Sequence, residues 1–147
     1  WESKKDKGQT DAINKGFARA TGDILAWLNS DDTYEPGAIS AAVAAMEAHP
    51  EAGLLYGDCN FIDADDNIIG RFNAKLTDYP KLRRGFVHVP QQAAFWRADL
   101  WQQVGPLDDG IYFAMDYDLW LRLAKVSRVE ALWVSSTRSP SVAKMTV

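Results

Sequence analysis

The sequence lacks several features that would narrow the choice of function. It contains one cysteine, Cys59, among 147 residues, which excludes an internal disulfide framework and suits a reducing compartment. No apolar run approaches the roughly 20 residues that a membrane-spanning helix needs. No signal peptide opens the chain. These absences predict a soluble, cytoplasmic domain.

Positive charge is scarce as well, with 16 Lys and Arg against 20 Asp and Glu and a formal net charge of −4. No basic stripe is available to neutralise phosphates, so we expect no nucleic-acid partner. A glycine-rich loop ending in Lys-Ser or Lys-Thr is missing, which disfavours a phosphotransferase. The hydrophobic share of 47% is typical of globular proteins, and the length fits one domain over residues 1–147.

The most informative segment that is present covers residues 23–32. Residues 24–28 predict a buried strand, and the adjacent carboxylates of Asp31 and Asp32 follow it. Loops at strand ends often carry function because the sheet positions what they present. Two neighbouring carboxylates suit a hard divalent cation with oxygen ligands. The alternative is that Asp31 or Asp32 caps the helix that begins near Pro36.

Predicted helices and strands alternate along the chain. Ile13, Phe17 and Ala20 recur at the spacing of an amphipathic helix over residues 10–20, and Gly22 suits the end of that helix. Further predicted helices cover residues 37–48, 98–104 and 115–125, and predicted strands cover residues 53–58, 61–63, 67–71, 92–97 and 129–134. This order predicts an α/β fold with a mixed, mainly parallel sheet. Ligands of such sheets gather at the carboxyl ends of the strands.

A second pair of acids lies at the start of the predicted helix over residues 115–125. Asp116 shares a helix face with the apolar residues three, four and seven positions further on. Asp118 lies one turn from Arg122 and predicts an ion pair. A partly buried carboxylate at a helix start is a plausible general base. The alternative is that Asp116 is the N-cap and Asp118 a solvated acid of the first turn.

Together these segments resemble the motifs of a family 2 glycosyltransferase of GT-A fold. The motif segments, in order, are residues 6–17, 21–23, 28–32 and 116–122, and the resemblance covers roughly positions 1–125. It implies a Rossmann-like three-layer sandwich. It also implies a transferase that moves a sugar from a nucleotide diphosphate donor to the hydroxyl of a saccharide or other acceptor, with inversion of the anomeric centre.

The resemblance assigns a cofactor to the acidic segment. Asp31 would bind a Mg²⁺ or Mn²⁺ ion that bridges to the donor diphosphate, and Asp32 would lie beside it on the substrate side. Asn29 stands where many members carry the first acid of an Asp-x-Asp motif. Its amide can still offer an oxygen, so this difference lowers the charge more than it changes the geometry.

The resemblance also assigns substrate-binding and catalytic residues. Gly8, Gln9 and Asn14 would lie near the sugar donor. Asp116 would be the catalytic base that takes a proton from the acceptor hydroxyl. Met115 stands before it where many members have a second acid. Two different carboxylates would thus carry the metal and the base roles.

The chain also departs from the family pattern. No residues precede Trp1, so we expect the nucleotide-binding half to be truncated at its N-terminus and self-association through the bare sheet edge. The segment 135–141 lacks a histidine that many relatives have, and His88 is more readily a structural or acceptor-side residue than a metal ligand. Acceptor choice is expected in residues 77–90. The alternative function is a non-catalytic fragment or carbohydrate-binding domain of the same fold.

Overall fold

A computed structural model describes residues 4–132 and 143–146 of the chain. The helices are α1 (Gln9–Phe17), α2 (Ala38–Ala48), α3 (Tyr79–Leu82), α4 (Ala98–Val104) and α5 (Met115–Val126). The strands are β1 (Ile24–Leu25), β2 (Thr33–Tyr34), β3 (Ala52–Tyr56), β4 (Cys59–Ile62), β5 (Ile68–Phe72), β6 (Ala94–Arg97), β7 (Arg128–Ala131) and β8 (Ala143–Thr146). A short 3₁₀ turn, Gln91–Ala93, precedes β6.

The strands form two four-stranded sheets, with orders β1-β6-β3-β7 and β2-β8-β4-β5. The sequence predicted one mixed sheet, whereas the described strands form two, and both are mixed. The expected predominance of parallel pairing is not found among the described strands, where only β3–β7 and β4–β8 run parallel. The reason is that β6 pairs antiparallel with both β1 and β3, and β4 returns directly as the hairpin strand β5.

Helices cover both faces of the first sheet. Leu54 and Tyr56 of β3 pack into one core cluster with side chains of α1, α4 and α5. Leu55, between them, packs into a second cluster with α2. This alternation is what a strand buried on both faces requires. The three layers predicted from the sequence are therefore present.

An aromatic cluster supports the segment that follows β1. The ring of Trp27 stacks on Trp120 of α5 at 6.0 Å and meets the edge of Trp96 at 5.4 Å. Phe17 of α1 packs against Trp101 at 4.7 Å. Such ring pairs stabilise the fold by more than their buried area alone would. The chain is therefore held firmly just before residues 29–32.

Several predicted elements have different bounds in the structure. Residues 26–28 continue the chain beyond β1 without ladder pairing, and the carbonyl of Trp27 accepts a hydrogen bond from Gln91 Nε2 at 2.7 Å instead. The predicted strand 92–97 starts at Ala94, because the 3₁₀ turn occupies the residues before it. The predicted last strand is Arg128–Ala131, and residues 133 and 134 of that prediction lie outside the described part.

Cys59 lies at the start of β4, in the middle of the second sheet. Its side chain is fully buried, and it pairs with Phe72 of β5 on one side and Ala143 of β8 on the other. Burial, with a smaller contribution from the carboxylates of Asp32 and Glu35, raises the pKa of the thiol to about 12. Among the described residues, no helix has the length and apolar character to cross a bilayer.

Candidate functional site

The acidic residues form a tight turn between β1 and β2, which we name the acid turn (residues 29–32). The backbone N–H of Asp32 donates to the carbonyl of Asn29 at 3.1 Å and closes the turn. Neither acid caps α2, whose N-cap is Gly37 without a side-chain hydrogen bond. The capping alternative is therefore wrong.

The two carboxylates of the acid turn lie in different environments. Asp31 is exposed, whereas Asp32 is only 6% exposed. The negative charge of Asp32 also reaches the interior, where it contributes to the raised pKa of Cys59. A buried carboxylate is costly unless hydrogen-bond donors compensate it.

Asn29 supplies such a donor and connects three segments. Its Nδ2 donates to Asp32 Oδ2 at 3.0 Å and to Gln91 Oε1 at 3.2 Å. Its Oδ1 accepts from Gln9 Nε2 at 3.1 Å. The amide oxygen that the sequence suggested for a cation is thus engaged by Gln9. Asn29 ties the acid turn to the start of α1 and to the turn before β6.

Gln91 is a site residue that the sequence did not reveal. It is 9% exposed and fixes the backbone ahead of the acid turn through its bond to the Trp27 carbonyl. Gln91 and Gln92 form a polar pair directly before the apolar strand β6, and that pair was the available signal. Its partner lies 62 positions away in sequence, which local patterns do not report.

The acid turn offers few protein ligands to a cation. Within residues 4–132 and 143–146, no group of three or more His, Cys, Asp or Glu side chains is arranged to hold a metal ion. Mg²⁺ often binds through one or two carboxylates and takes its other ligands from water and substrate phosphates. The exposed Asp31, next to the buried Asp32, fits a site of that shared kind.

The start of α1 carries two of the predicted substrate-binding residues. Gly8 has φ 136°, a conformation that favours glycine, and it places Gln9 toward Asn29. Gly8 and Gln9 line a groove of about 350 Å³ together with Tyr112 and Phe113. These aromatic rings are 86% and 81% exposed and meet at 4.8 Å.

Asn14, predicted near the donor, makes a structural contact. Its Nδ2 donates to the carbonyl of Leu107, and its Oδ1 accepts from the N–H of Leu107, both at 2.9 Å. The amide therefore pairs with the backbone as a neighbouring strand would. It holds α1 against the segment that leads to α5, and its role toward a donor stays a prediction.

Asp116 is the second residue of α5 and is half-buried. Its Oδ1 accepts from the N–H of Tyr117 at 2.8 Å. The N-cap is Ala114, with φ 61° and no side-chain cap, so the N-cap alternative for Asp116 is wrong. The predicted ion pair of Asp118 with Arg122 is confirmed at 2.8 Å.

A chain of contacts connects the acid turn with Asp116. Gln9 bonds to Asn29 of the acid turn, and the next residue, Thr10, donates through Oγ1 to Met115 Sδ at 2.8 Å. Met115 directly precedes Asp116. The structure thus brings Gly8, Gln9, the acid turn and the start of α5 to one region.

Comparison with known proteins places the chain in a family. The family model described as Glycosyl transferase family 2 matches residues 2–101. This chain belongs to glycosyl transferase family 2. The matched residues include the acid turn and the start of α1, whereas Asp116 lies beyond them.

Relatives of this family 2 chain include named bacterial proteins. The O-antigen biosynthesis protein RfbC of Myxococcus xanthus is 35% identical over 116 residues, which cover 79% of this chain and 9% of RfbC. The uncharacterized glycosyltransferase Rv1514c of Mycobacterium tuberculosis is 32% identical over 128 residues, which cover 86% of this chain and 48% of that protein. The chain thus spans less than half the length of both.

A solved structure supports the fold. The crystal structure of S. aureus TarS 1-349 aligns with a TM-score of 0.69 and 14% identity, covering 95% of this chain and 40% of that one. At this identity the likeness concerns the fold, which extends through α5 and therefore past the residues that the family model matches.

Proposed function

We propose that this chain carries the reaction centre of a glycosyltransferase that moves a sugar from a nucleotide diphosphate donor to a hydroxyl of a saccharide or other acceptor, with inversion. The observation that carries the proposal is the contact chain from the acid turn through Gln9 and Thr10 to Met115, beside Asp116. It brings a candidate metal ligand and a candidate base to one region of a family 2 chain.

The metal part of the proposal rests on Asp31 and Asp32. Asp31 is exposed and able to reach an ion, while Asp32 is buried and held by Asn29. When bound, Mg²⁺ or Mn²⁺ supplies Lewis-acid neutralisation of the charge that develops on the departing diphosphate. Gly8 and Gln9, on the adjoining groove, would contact the donor.

The base part of the proposal rests on Asp116. Its Oδ1 accepts from Tyr117 N–H, while its Oδ2 makes no hydrogen bond within the described residues. This oxygen takes the proton of the acceptor hydroxyl as the hydroxyl oxygen bonds to the anomeric carbon. Attack from the face opposite the diphosphate inverts that carbon. The exposed rings of Tyr112 and Phe113 lie next to this end of α5 and offer apolar faces to an acceptor sugar.

Release of nucleotide diphosphate tests the proposal. The 147-residue chain, and the longest polypeptide that its gene encodes, are incubated with Mn²⁺ and a panel of nucleotide diphosphate sugars. We expect turnover that falls by about 10²–10⁴ in Asp116→Asn and by a similar factor in Asp31→Ala. Asp118→Asn, on the same helix turn but paired with Arg122, is the matched control and keeps its activity.

Full activity of both Asp31→Ala and Asp116→Asn would contradict the site assignment. Titration calorimetry tests the alternative of a non-catalytic, carbohydrate-binding domain. Sugar binding that neither Mn²⁺ nor nucleotide changes, without turnover in either polypeptide, would favour that alternative over the proposal.

A further inference from the structure

One surface of the chain combines exposed apolar side chains with positive charge. We name it the 75–88 surface; its exposed apolar and cationic side chains are Lys75, Leu76, Arg83, Arg84, Phe86 and Val87. Leu76, Phe86 and Val87 are 53%, 49% and 61% exposed. Large apolar side chains that cluster at the surface mark interaction sites more often than single ones do.

Contacts show that the two ends of this segment form one patch. The ring of Phe86 stacks on His88 at 5.6 Å. Burial lowers the pKa of His88, and the nearby charges of Lys75 and Lys81 lower it further, against an opposing effect of Asp78. Lys81 Nζ in turn donates to the carbonyl of Leu76 at 3.0 Å. The N–H of Phe86 approaches the carbonyl of Lys81 at 3.4 Å, so Lys81 contacts both Leu76 and Phe86.

The patch is held rigidly to the body of the protein. Leu82, at the end of α3, is 1% exposed and belongs to the core cluster of α5. The hydroxyl of Tyr117 donates to the carbonyl of Leu82 at 2.5 Å and contacts that of Phe86 at 3.3 Å. Phe86 and Val87 thus stand exposed on a fixed support.

The charge of this segment opposes that of the whole chain. Residues 75–88 contain four Lys and Arg and a single acid, Asp78, whereas the chain carries a formal net charge of −4. Lys81 lies 3.9 Å from Asp78. Arg83 and Arg84 form no ion pair within the described residues, so their charges are available to a partner.

We propose that the 75–88 surface docks on an anionic membrane. Apolar side chains surrounded by Lys and Arg are the chemistry of segments that lie in the headgroup region of a bilayer, where the apolar groups enter the boundary and the cations meet acidic lipids. The positive charge favours binding to an anionic surface. The exposed Phe86 and Val87 favour a surface that apolar side chains can enter. Tyr117, the residue that follows Asp116, donates to the Leu82 carbonyl of this segment, so docking sets the start of α5 beside the lipid.

Vesicle co-sedimentation of the 147-residue chain tests this docking. The probes are vesicles of phosphatidylcholine alone and of phosphatidylcholine with roughly one third phosphatidylglycerol, at low and high salt. We expect binding to the anionic vesicles only, weakened by salt. Because each Lys or Arg near such a surface contributes about fivefold in affinity, Arg83→Glu with Arg84→Glu should weaken binding by at least tenfold. Phe86→Ser with Val87→Ser should weaken it as well.

Two matched double variants serve as controls. Ile68→Ser with Ile69→Ser removes an exposed apolar pair, 60% and 58% exposed, from β5. Lys4→Glu with Lys5→Glu reverses an exposed pair of cations elsewhere. Both should bind anionic vesicles as the unchanged chain does, and circular dichroism confirms that every variant is folded.

Four results would overturn the proposal. These are no binding to either vesicle, equal binding to both, losses in the controls as large as those at the 75–88 surface, and salt-sensitive binding that Phe86→Ser with Val87→Ser leaves unchanged. The last result, together with equal affinity for soluble polyglutamate, would assign the surface to an acidic protein instead.

Discussion

The acid turn and the start of α5 each present a carboxylate to the candidate site, but they are held in different ways. Asp32 is buried and receives the amide of Asn29, which also bonds to Gln9 and Gln91. Asp116 is half-buried and, within the described residues, accepts a hydrogen bond only from the N–H of Tyr117. The carboxylate of Asp32 depends on an amide of its own turn that two distant segments hold in place, whereas that of Asp116 is held by its own helix.

Because of this difference, substitutions in the two regions should affect stability and activity to different degrees. Removing a hydrogen bond to a buried carboxylate weakens the compensation of its charge, which lowers the free energy of unfolding. A half-buried carboxylate at a helix start can be replaced with little change in that free energy. Substitutions at the acid turn should therefore affect both properties, whereas substitutions of Asp116 should affect turnover alone.

The largest expected effect is on turnover at Asp116. We expect Asp116→Asn to lower kcat by about 10²–10⁴ while the free energy of unfolding changes by less than ~0.5 kcal/mol. Asp32→Ala should lower both quantities. Denaturant titration beside the activity assay measures the two. Equal losses of stability in both variants would remove the distinction between the two regions.

The next effect concerns the amide that joins the acid turn to its neighbours. Asn29→Ala removes a hydrogen bond to the charged carboxylate of Asp32 and should lower the free energy of unfolding by about 1–3 kcal/mol. Asn67→Ala is the matched control, because Asn67 also donates to a carboxylate, that of Asp63, but on an exposed hairpin. It should cost less than ~0.5 kcal/mol, and urea denaturation of both variants compares them.

A smaller effect of opposite sign is expected at the start of α5. Ala114 adopts φ 61°, a left-handed conformation that costs about 1–2 kcal/mol for residues with a Cβ. After the extra unfolded-state freedom of glycine is subtracted, Ala114→Gly should stabilise the chain by about 0.5–1 kcal/mol. Ala98→Gly, at the right-handed start of α4, should instead destabilise it. Thermal unfolding distinguishes the two signs.

The smallest effect on stability is expected at Gln9. Its bond to Asn29 is exposed, so Gln9→Ala should change the free energy of unfolding by less than ~0.5 kcal/mol. If Gln9 contacts the donor, KM for the donor should rise about fivefold, which is the loss of roughly 1 kcal/mol. Gln102→Ala, an equally exposed change on α4, should leave KM unchanged. A change in stability without any change in KM would limit Gln9 to a structural role.

Much of the fold could be predicted because its signals are local. The 3.6-residue spacing of Ile13 and Phe17 predicted α1, and the apolar face after Asp116 predicted α5. The order of four short motifs predicted the family, which the comparison confirms. The prediction that parallel pairing predominates was wrong, because strand direction depends on which distant segments meet. β6 runs antiparallel to β3, and the sequence pattern of β6 does not indicate this direction.

The sequence indicates the acids of the candidate site more clearly than the amides that support them. Asp31 and Asp32 follow an apolar run, and that pattern is visible in sequence. Asn14 has both amide atoms engaged by Leu107, 93 positions away, and Gln91 meets Asn29 across 62 positions. The exposure of Tyr112 and Phe113 was also hidden, because apolar letters alone favour burial.

The buried thiol of Cys59 allows the opening rate of the second sheet to be measured. Its thiol is shielded by two neighbouring strands, and its pKa is raised to about 12, so an alkylating reagent near neutral pH meets little thiolate until β4 separates from β5 or β8. The rate at which Cys59 is alkylated then reports how often the second sheet opens. Because a ligand that binds only the folded state lowers the population of open states, a cation that binds at the acid turn should slow this labelling.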